Sequence, residues 1–288
     1  MSDVLGSHVE FVRVCPEVEV GMGIPRETVR LVGDPESPRM VGSGTGQDHT
    51  RAMNAFARRR VRELAELDLC GYLLKKDSPS CGMERVKVHP ERGGGPARSG
   101  VGLFARALLD RFPLLPVEEE GRLNDPLLRE NFIERIFAYR RWKDFLAGRY
   151  TRGRLVEFHT DHKFLLLSHS PRRYTELGRV AAAAKGLGAA GTKERYGRLF
   201  MEAMAERTST RKHANVLRHL AGFLKRDLDG ASRRDLHEAI EDYRNGLVPL
   251  VVPVTLVRSL ARRLEQAYLL RQVYLTPHPR ELMLRNHV

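Results

Sequence analysis

Apolar and polar positions change period repeatedly over the first 122 residues. His8–Cys15 alternates, with Val9, Phe11 and Val14 against Glu10 and Arg13, and predicts a strand. Gly21–Gly46, rich in Gly and Pro, predicts a long excursion, either an active-site loop or a hairpin with loops. Asp48 stands as an N-cap before helical spacing through Met53, Phe56, Val61 and Leu64. The apolar run Leu69-Cys70-Gly71-Tyr72-Leu73-Leu74 predicts a buried strand over Asp68–Lys75, which opens into the turn Ser78-Pro79-Ser80-Cys81-Gly82. A short alternating segment, Arg85–His89, follows, then a Gly93–Pro96 loop, an amphipathic helix over Val101–Phe112 and a strand-like Leu114–Val117. Strands alternating with helices predict an α/β domain with a mostly parallel sheet.

From Asp125 the period becomes helical throughout. Asp125-Pro126 starts a helix carrying Leu128, Phe132, Ile136, Tyr139 and Trp142, ending before Gly148. Further helices are predicted over roughly 155–168, 172–185, 192–207, 211–226 and 232–245, with a last helical region after 254. The expected organisation is an α/β domain over 1–122, a connecting helix over 123–150 and an all-α domain over 151–288.

Charge sharpens this division. Residues 1–150 are nearly balanced, 24 Lys+Arg against 22 Asp+Glu, whereas residues 151–288 carry 25 against 14, a surplus of 11. Such asymmetry points to a polyanion partner for the second half, nucleic acid first, set against the alternative of a solvated basic surface. With three cysteines and no signal-peptide pattern, the chain reads as a reduced, cytoplasmic protein without a disulfide framework. The longest apolar run, near Leu247–Leu256, contains Pro249 and Pro253 and is too short for a membrane span.

Two thiols stand out. Cys81 lies in the Ser78–Gly82 turn and Cys15 in Cys15-Pro16-Glu17, each after a strand-like run, where α/β sheets gather their ligands. Backbone N–H groups of such a turn can face a thiolate or an anion. No Cys-x-x-Cys pair is present, which excludes a zinc ribbon or a thioredoxin motif. Cys70, within the apolar run, reads as a small core residue. Glu17 suits a general acid or base if burial raises its pKa, or is a solvated loop charge. Ser78 and Ser80 are either turn residues or hydroxyls of the same site. The absence of a Gly-x-Ser-x-Gly elbow excludes a serine hydrolase of that type, and Gly42–Gly46 lacks a Walker lysine.

In the basic half, His159, His162 and Lys163 fall on one helical face, with Arg172 and Arg173 at the next helix start. Arg211, Lys212 and His213 stand at another. Both clusters suit phosphate better than metal.

These residues carry a resemblance. Val14-Cys15-Pro16-Glu17, Gly23-Ile24-Pro25-Arg26 and Lys75–Gly82 with Met83–Val88 resemble the family catalogued as domain of unknown function 523. Phe158–Tyr174, Lys212–Leu217, Tyr243–Gly246 and the closing Pro277–Leu282 resemble its frequent partner, domain of unknown function 1722. Two-domain members are similar to tRNA 4-thiouridine desulfidases, and the first domain is similar to thiouracil desulfidases. The resemblance implies a 4Fe–4S cluster on three cysteines, Cys15 and Cys81 among them, with one iron free to take sulfur. It also implies a tRNA grip in the all-α half, with no DNA expected. Glu17, Ser78 and Ser80 are then placed to move protons or hold the base. Family members begin with a further strand ending in a Cys-Leu-x-Gly turn, which supplies the remaining ligand and has no counterpart here; the expectation is a labile cluster and weak activity. A non-catalytic RNA-binding protein and a desulfidase of free thiouracil are the alternatives.

Overall fold

A computed structural model describes residues 5–286 and divides them into two compact units. One is Val9–Asn124; the other runs from Asp125 onward and takes in the segment that ends at His8. The fold class is as the sequence predicts: an α/β part followed by a helical part.

In the first unit, Val29–Val32 and Arg39–Gly42 form an antiparallel hairpin, which is what the Gly/Pro-rich excursion folds into. Val29–Val32 also pairs in parallel with Val86–His89, which pairs antiparallel with Ala97–Gly100. A separate parallel pair joins Tyr72–Leu74 to Val117–Glu119, in the register Tyr72 to Val117 and Leu74 to Glu119. The sheet content is therefore mixed rather than mostly parallel. The helices Thr50–Ala65 and Leu103–Arg111 supply the apolar core with Met53, Phe56, Leu64, Phe104 and Leu108, all nearly inaccessible. Phe104 meets both Phe56 and Tyr72 at centroid distances of 6.2 Å. Asp48 accepts the Thr50 N–H at 2.8 Å, one residue ahead of the N-cap position held by His49.

Two strand expectations need correction. Residues 9–15 form no strand: the segment is irregular, Phe11 and Val12 are exposed, and a short helix, Pro16–Glu19, follows. Alternation alone cannot make a strand, because its N–H and C=O groups need a neighbouring ladder. For the same reason the apolar run near Leu69–Leu74 yields only three strand residues, and Leu73 is 39% exposed.

The second unit is built of helices. Asp125 caps the first, Pro126–Ala147, by accepting from the N–H groups of Leu127 (2.8 Å) and Leu128 (3.2 Å). This helix is not a bare connector. Its Trp142 is buried, stacked on Phe145 (5.1 Å) and Tyr196 (5.5 Å) and edge-on to Phe158 (5.6 Å). The stretch expected as one helix over 155–168 breaks at His162 into Arg152–Asp161 and Lys163–His169. Pro171–Ala182, Ala184–Ala205, Thr210–Leu224, Gly230–Arg244 and Val251–Arg263 follow. Among the described residues no helix is long and apolar enough to cross a membrane.

Candidate functional site

The Ser78–Gly82 turn hangs between two supports. On one side the N-terminus of the helix Leu103–Arg111 donates to it: Leu103 N–H to the Pro79 carbonyl (3.1 Å), and Phe104 and Ala105 N–H to that of Ser80 (3.0 and 3.1 Å). On the other, Glu119 accepts the Met83 N–H at 2.9 Å and Glu120 accepts that of Lys76 at 2.9 Å, so the end of the Val117–Glu119 strand clasps both flanks. Gly102 lets the helix come this close. A Cβ there would sit 2.5 Å from the Ser80 carbonyl and 2.8 Å from the Cys81 nitrogen, and both are backbone atoms that cannot step aside. Gly102→Ala is therefore expected to cost about 1–3 kcal/mol, read as a lower midpoint in urea, and to displace Cys81. An unchanged midpoint and unchanged thiol reactivity would show that the close approach is dispensable.

Glu17 organises the site. Its carboxylate accepts the hydroxyls of Ser80 (2.7 Å) and Ser78 (3.3 Å) through one oxygen, and the Arg26 guanidinium through the other, at 2.8 Å. Burial pushes the Glu17 pKa up, but the hydrogen bonds from Ser80, Arg26 and Ser78 together hold it below its ordinary value. This corrects the expectation that burial raises it: Glu17 is an ionised acceptor at neutral pH, suited to a base and not to an acid. Ser78 Oγ also accepts from the backbone N–H groups of Ser80 (3.3 Å) and Cys81 (3.2 Å), which fixes the turn. Ser80, only 1% exposed, points a hydroxyl at the Cys81 sulfur at 3.5 Å.

The two thiols lie near enough across this network to act on one another electrostatically. Burial pushes the Cys81 thiol up to about 11, the Ser80 hydrogen bond opposes this, and the charges of Glu17 and Cys15 add to the rise. Arg26 is in contact with both Glu17 and Cys15. The Cys15 end is braced from behind, where Glu19 accepts the Cys15 N–H at 3.0 Å and pairs with Arg60 at 3.1 Å. Arg26, Gly102 and Glu119 are the residues that the sequence reading did not single out. Only Arg26 left a trace, within the Gly23–Arg26 motif.

The donor set decides what the site can hold. Two soft thiols suit iron or another thiophilic metal, whereas a three-cysteine cluster needs one more. Cys70 gives its thiol to the Asp68 carbonyl at 3.5 Å. Among the described residues no third Cys, His, Asp or Glu completes a set around Cys15 and Cys81. The described residues do not fit the implied cluster by themselves.

In the helical unit the expected basic residues separate into two groups. His162 (3% exposed) and His213 (2% exposed) are core residues, with burial pushing each down to about 3. Each hydrogen-bonds through Nδ1, His162 to the Phe158 carbonyl (2.7 Å) and His213 to the Tyr274 hydroxyl (3.0 Å). His159, pushed down to about 4 by burial, bonds Tyr196 at 3.0 Å and stacks on Tyr174. Neutral, inward histidines cannot form a basic face, so that reading is corrected; helical spacing showed which residues share a side but not which side is buried. Lys212 is spent on the His169 and Arg207 carbonyls. Arg173 is tied to Glu176 (2.9 Å) and Glu202 (3.0 Å), and Arg172 to Glu176 (3.0 Å). Arg211 lines an open cleft of about 570 Å³ with Thr210, Ala214, Arg218 and Arg244. Lys163 lies beside the rings of Phe164 and Phe223.

Residues 1–120 match the family model described as 2-thiouracil desulfurase, and residues 163–279 match the one described as protein of unknown function (DUF1722). The uncharacterized protein YbgA of Escherichia coli (strain K12) is 29% identical over 158 residues, covering 54% of this chain and 94% of that relative. No solved structure matches the chain. The chain thus joins a segment similar to the 2-thiouracil desulfurase model to one similar to the DUF1722 model, a two-domain arrangement.

Proposed function

We propose that the protein removes sulfur from a thiolated uracil in tRNA, turning 4-thiouridine into uridine. The family match supports a sulfur-handling, desulfurase-type role in the coarse sense. The finer reading rests on one observation above all: Cys15, Glu17, Ser78, Ser80 and Cys81 meet in one place within the matched segment. The reaction is a non-redox exchange in which water gives its oxygen to the C=S carbon and the sulfur leaves as hydrogen sulfide with the two hydrogens. In it the Glu17 carboxylate accepts a proton from the attacking water. The Ser78 and Ser80 hydroxyls orient that carboxylate and are placed to hydrogen-bond the base. Arg26 keeps Glu17 ionised and oriented. Cys15 and Cys81 would be two of the three cysteine ligands of the 4Fe–4S cluster that the resemblance implies, a set that the described residues do not complete. The helical unit grips tRNA, a role supported by the surplus of 11 positive charges over residues 151–288 and by the cleft, where three arginines, two of them sharing Glu241, leave a net positive lining.

The experiment is anaerobic reconstitution of the full chain with iron and sulfide, followed by incubation with bulk tRNA. Bound iron that is lost in Cys81→Ser, together with disappearance of thiouridine absorbance and release of sulfide, is the expected result. Tight tRNA binding with no retained iron and no sulfide would instead establish the second reading, a non-catalytic tRNA-binding protein. That reading is favoured by one observation, the incomplete thiol set among the described residues.

A further inference from the structure

Toward the end of the helix Thr210–Leu224, past the arginine-lined cleft, one aromatic ring stands open to solvent and a second, half-buried, lies beside it. Phe223 is 46% exposed, an uncommon fate for a phenylalanine beside so much buried apolar surface. Its ring lies 5.2 Å from that of Tyr268, and both sit edge-to-face on the fully buried Phe164, at 6.0 and 6.5 Å. Phe164 fills the core below, so the pair above it is a shelf on the surface and not a missing part of the interior. Lys163 brings its ammonium to 5.9 Å from the Phe223 centroid and 5.2 Å from that of Phe164. Tyr174 and Asp161 stand near enough to Tyr268 to raise its phenol further, on top of burial. The same Asp161 holds Arg271 at 3.0 Å, so a second cation lies in the same neighbourhood.

Aromatic rings with a cation close by are a combination by which proteins hold unpaired nucleobases. The base stacks on the ring while the ammonium meets its phosphate, and stacking tolerates any sequence because every base has a π-face. Along the helix Phe223 stands beyond the cleft arginines, about 8 Å of rise past Arg218 and about 18 Å past Arg211, so one strand of a few nucleotides can reach both shelf and cleft. We propose that Phe223 and Tyr268 form a stacking platform for an unpaired base of the bound RNA, with Lys163 on the adjoining phosphate. The inference rests on the reading of this unit as a tRNA grip and names the feature it grips, a base splayed out of the stack rather than a duplex. Charge complementarity selects this occupant over an apolar protein surface, which would not call for a cation beside the rings.

The test is a titration of the full chain with labelled bulk tRNA over a range of salt concentrations. Phe223→Leu/Tyr268→Leu keeps apolar volume and removes both rings. It is expected to bind roughly tenfold more weakly or worse with the salt slope unchanged, whereas Lys163→Gln lowers the slope by about one phosphate contact. The thermal melt of each variant, followed through buried Trp142, should match the wild type. In a second arm, RNA oligonucleotides carry an abasic residue at each position in turn. The wild type should lose the same factor at one position, and the double variant should lose nothing more there. A double variant that binds like the wild type, or an abasic scan without effect, overturns the platform and leaves the tRNA reading standing. Failure of the wild type to bind any RNA overturns the tRNA reading itself.

Discussion

Glu134→Ala is expected to cost the helical unit about 3–5 kcal/mol, a large share of the ~5–15 kcal/mol that holds a domain together. Glu134 is 1% exposed and receives Arg285 on one oxygen (3.0 Å) and His169 on the other (3.0 Å). Arg285, itself 6% exposed, reaches Glu130 at 3.5 Å and gives a hydrogen bond to the Tyr274 carbonyl at 2.6 Å. Removing Glu134 would strand a buried guanidinium with too little negative charge. The chain has one tryptophan, Trp142, in this unit, so its fluorescence during urea unfolding reports the loss directly. A midpoint that hardly moves would show that Glu130 alone can balance Arg285.

The two carboxylates also set opposite pH dependences. Burial alone would raise Glu134, but the His169 hydrogen bond and the charges of Arg285, His169 and His278 outweigh it and hold the group well below its ordinary value. Its contribution is therefore present above the unfolded pKa of about 4.3 and is lost as the pH falls. Glu130 moves the other way, raised by burial and then by the charge of Glu134, with Arg285 only partly opposing. Its contribution is complete below the unfolded pKa and is lost as the pH rises. Glu130→Gln should accordingly be near neutral in mild acid and stabilising in mild alkali, which the same Trp142 unfolding curves at two pH values will show. The side-chain oxygens of Glu130 and Glu134 and a ring nitrogen of His278 lie within 4.8 Å of one another, a spacing that suits a metal ion, but the Arg285 guanidinium already provides the positive charge there.

The other large effect is at the thiol site. Glu17→Gln keeps the size of the side chain and removes its charge, so one oxygen that now accepts from Ser80 or Arg26 becomes a donor. Loss of the proton acceptor is expected to slow sulfur release from tRNA by about 10²–10⁴-fold. Affinity for tRNA should not change, because the proposed grip lies in the helical unit. Single-turnover release of sulfide alongside a binding titration separates the two. Full activity in Glu17→Gln would remove Glu17 from the chemistry and leave it the task of holding the serines.

Much of the architecture could be read from the chain because it is locally encoded. Asp125-Pro126 names a helix start, and the structure caps it at that residue. The change of period near residue 125 marks the passage from strands and helices to helices alone. The Cys15-Pro16-Glu17 and Ser78–Gly82 motifs pointed to the thiol site because turns carry their chemistry in short sequence. The misread elements share one cause: they depend on partners distant in the chain. His8–Cys15 alternates like a strand but has no ladder to join. His213 lies in a helix whose spacing is right and His162 at the break between two helices, yet both rings pack inward, against Phe158, Phe200 and Tyr274.

The sequence by itself therefore determined the two-part plan, the basic surplus of the second half and the identity of the thiol and carboxylate residues, since period, net charge and short motifs need no neighbours to be read. Tertiary structure alone decided that Glu17 is a hydrogen-bonded carboxylate rather than a raised acid, that Gly102 and Glu119 hold the cysteine turn, and that the histidines are core while Phe223 is exposed. Each of those outcomes depends on which atoms, tens of residues apart, come within hydrogen-bonding or packing distance, and burial acts on a group only once the chain has closed around it.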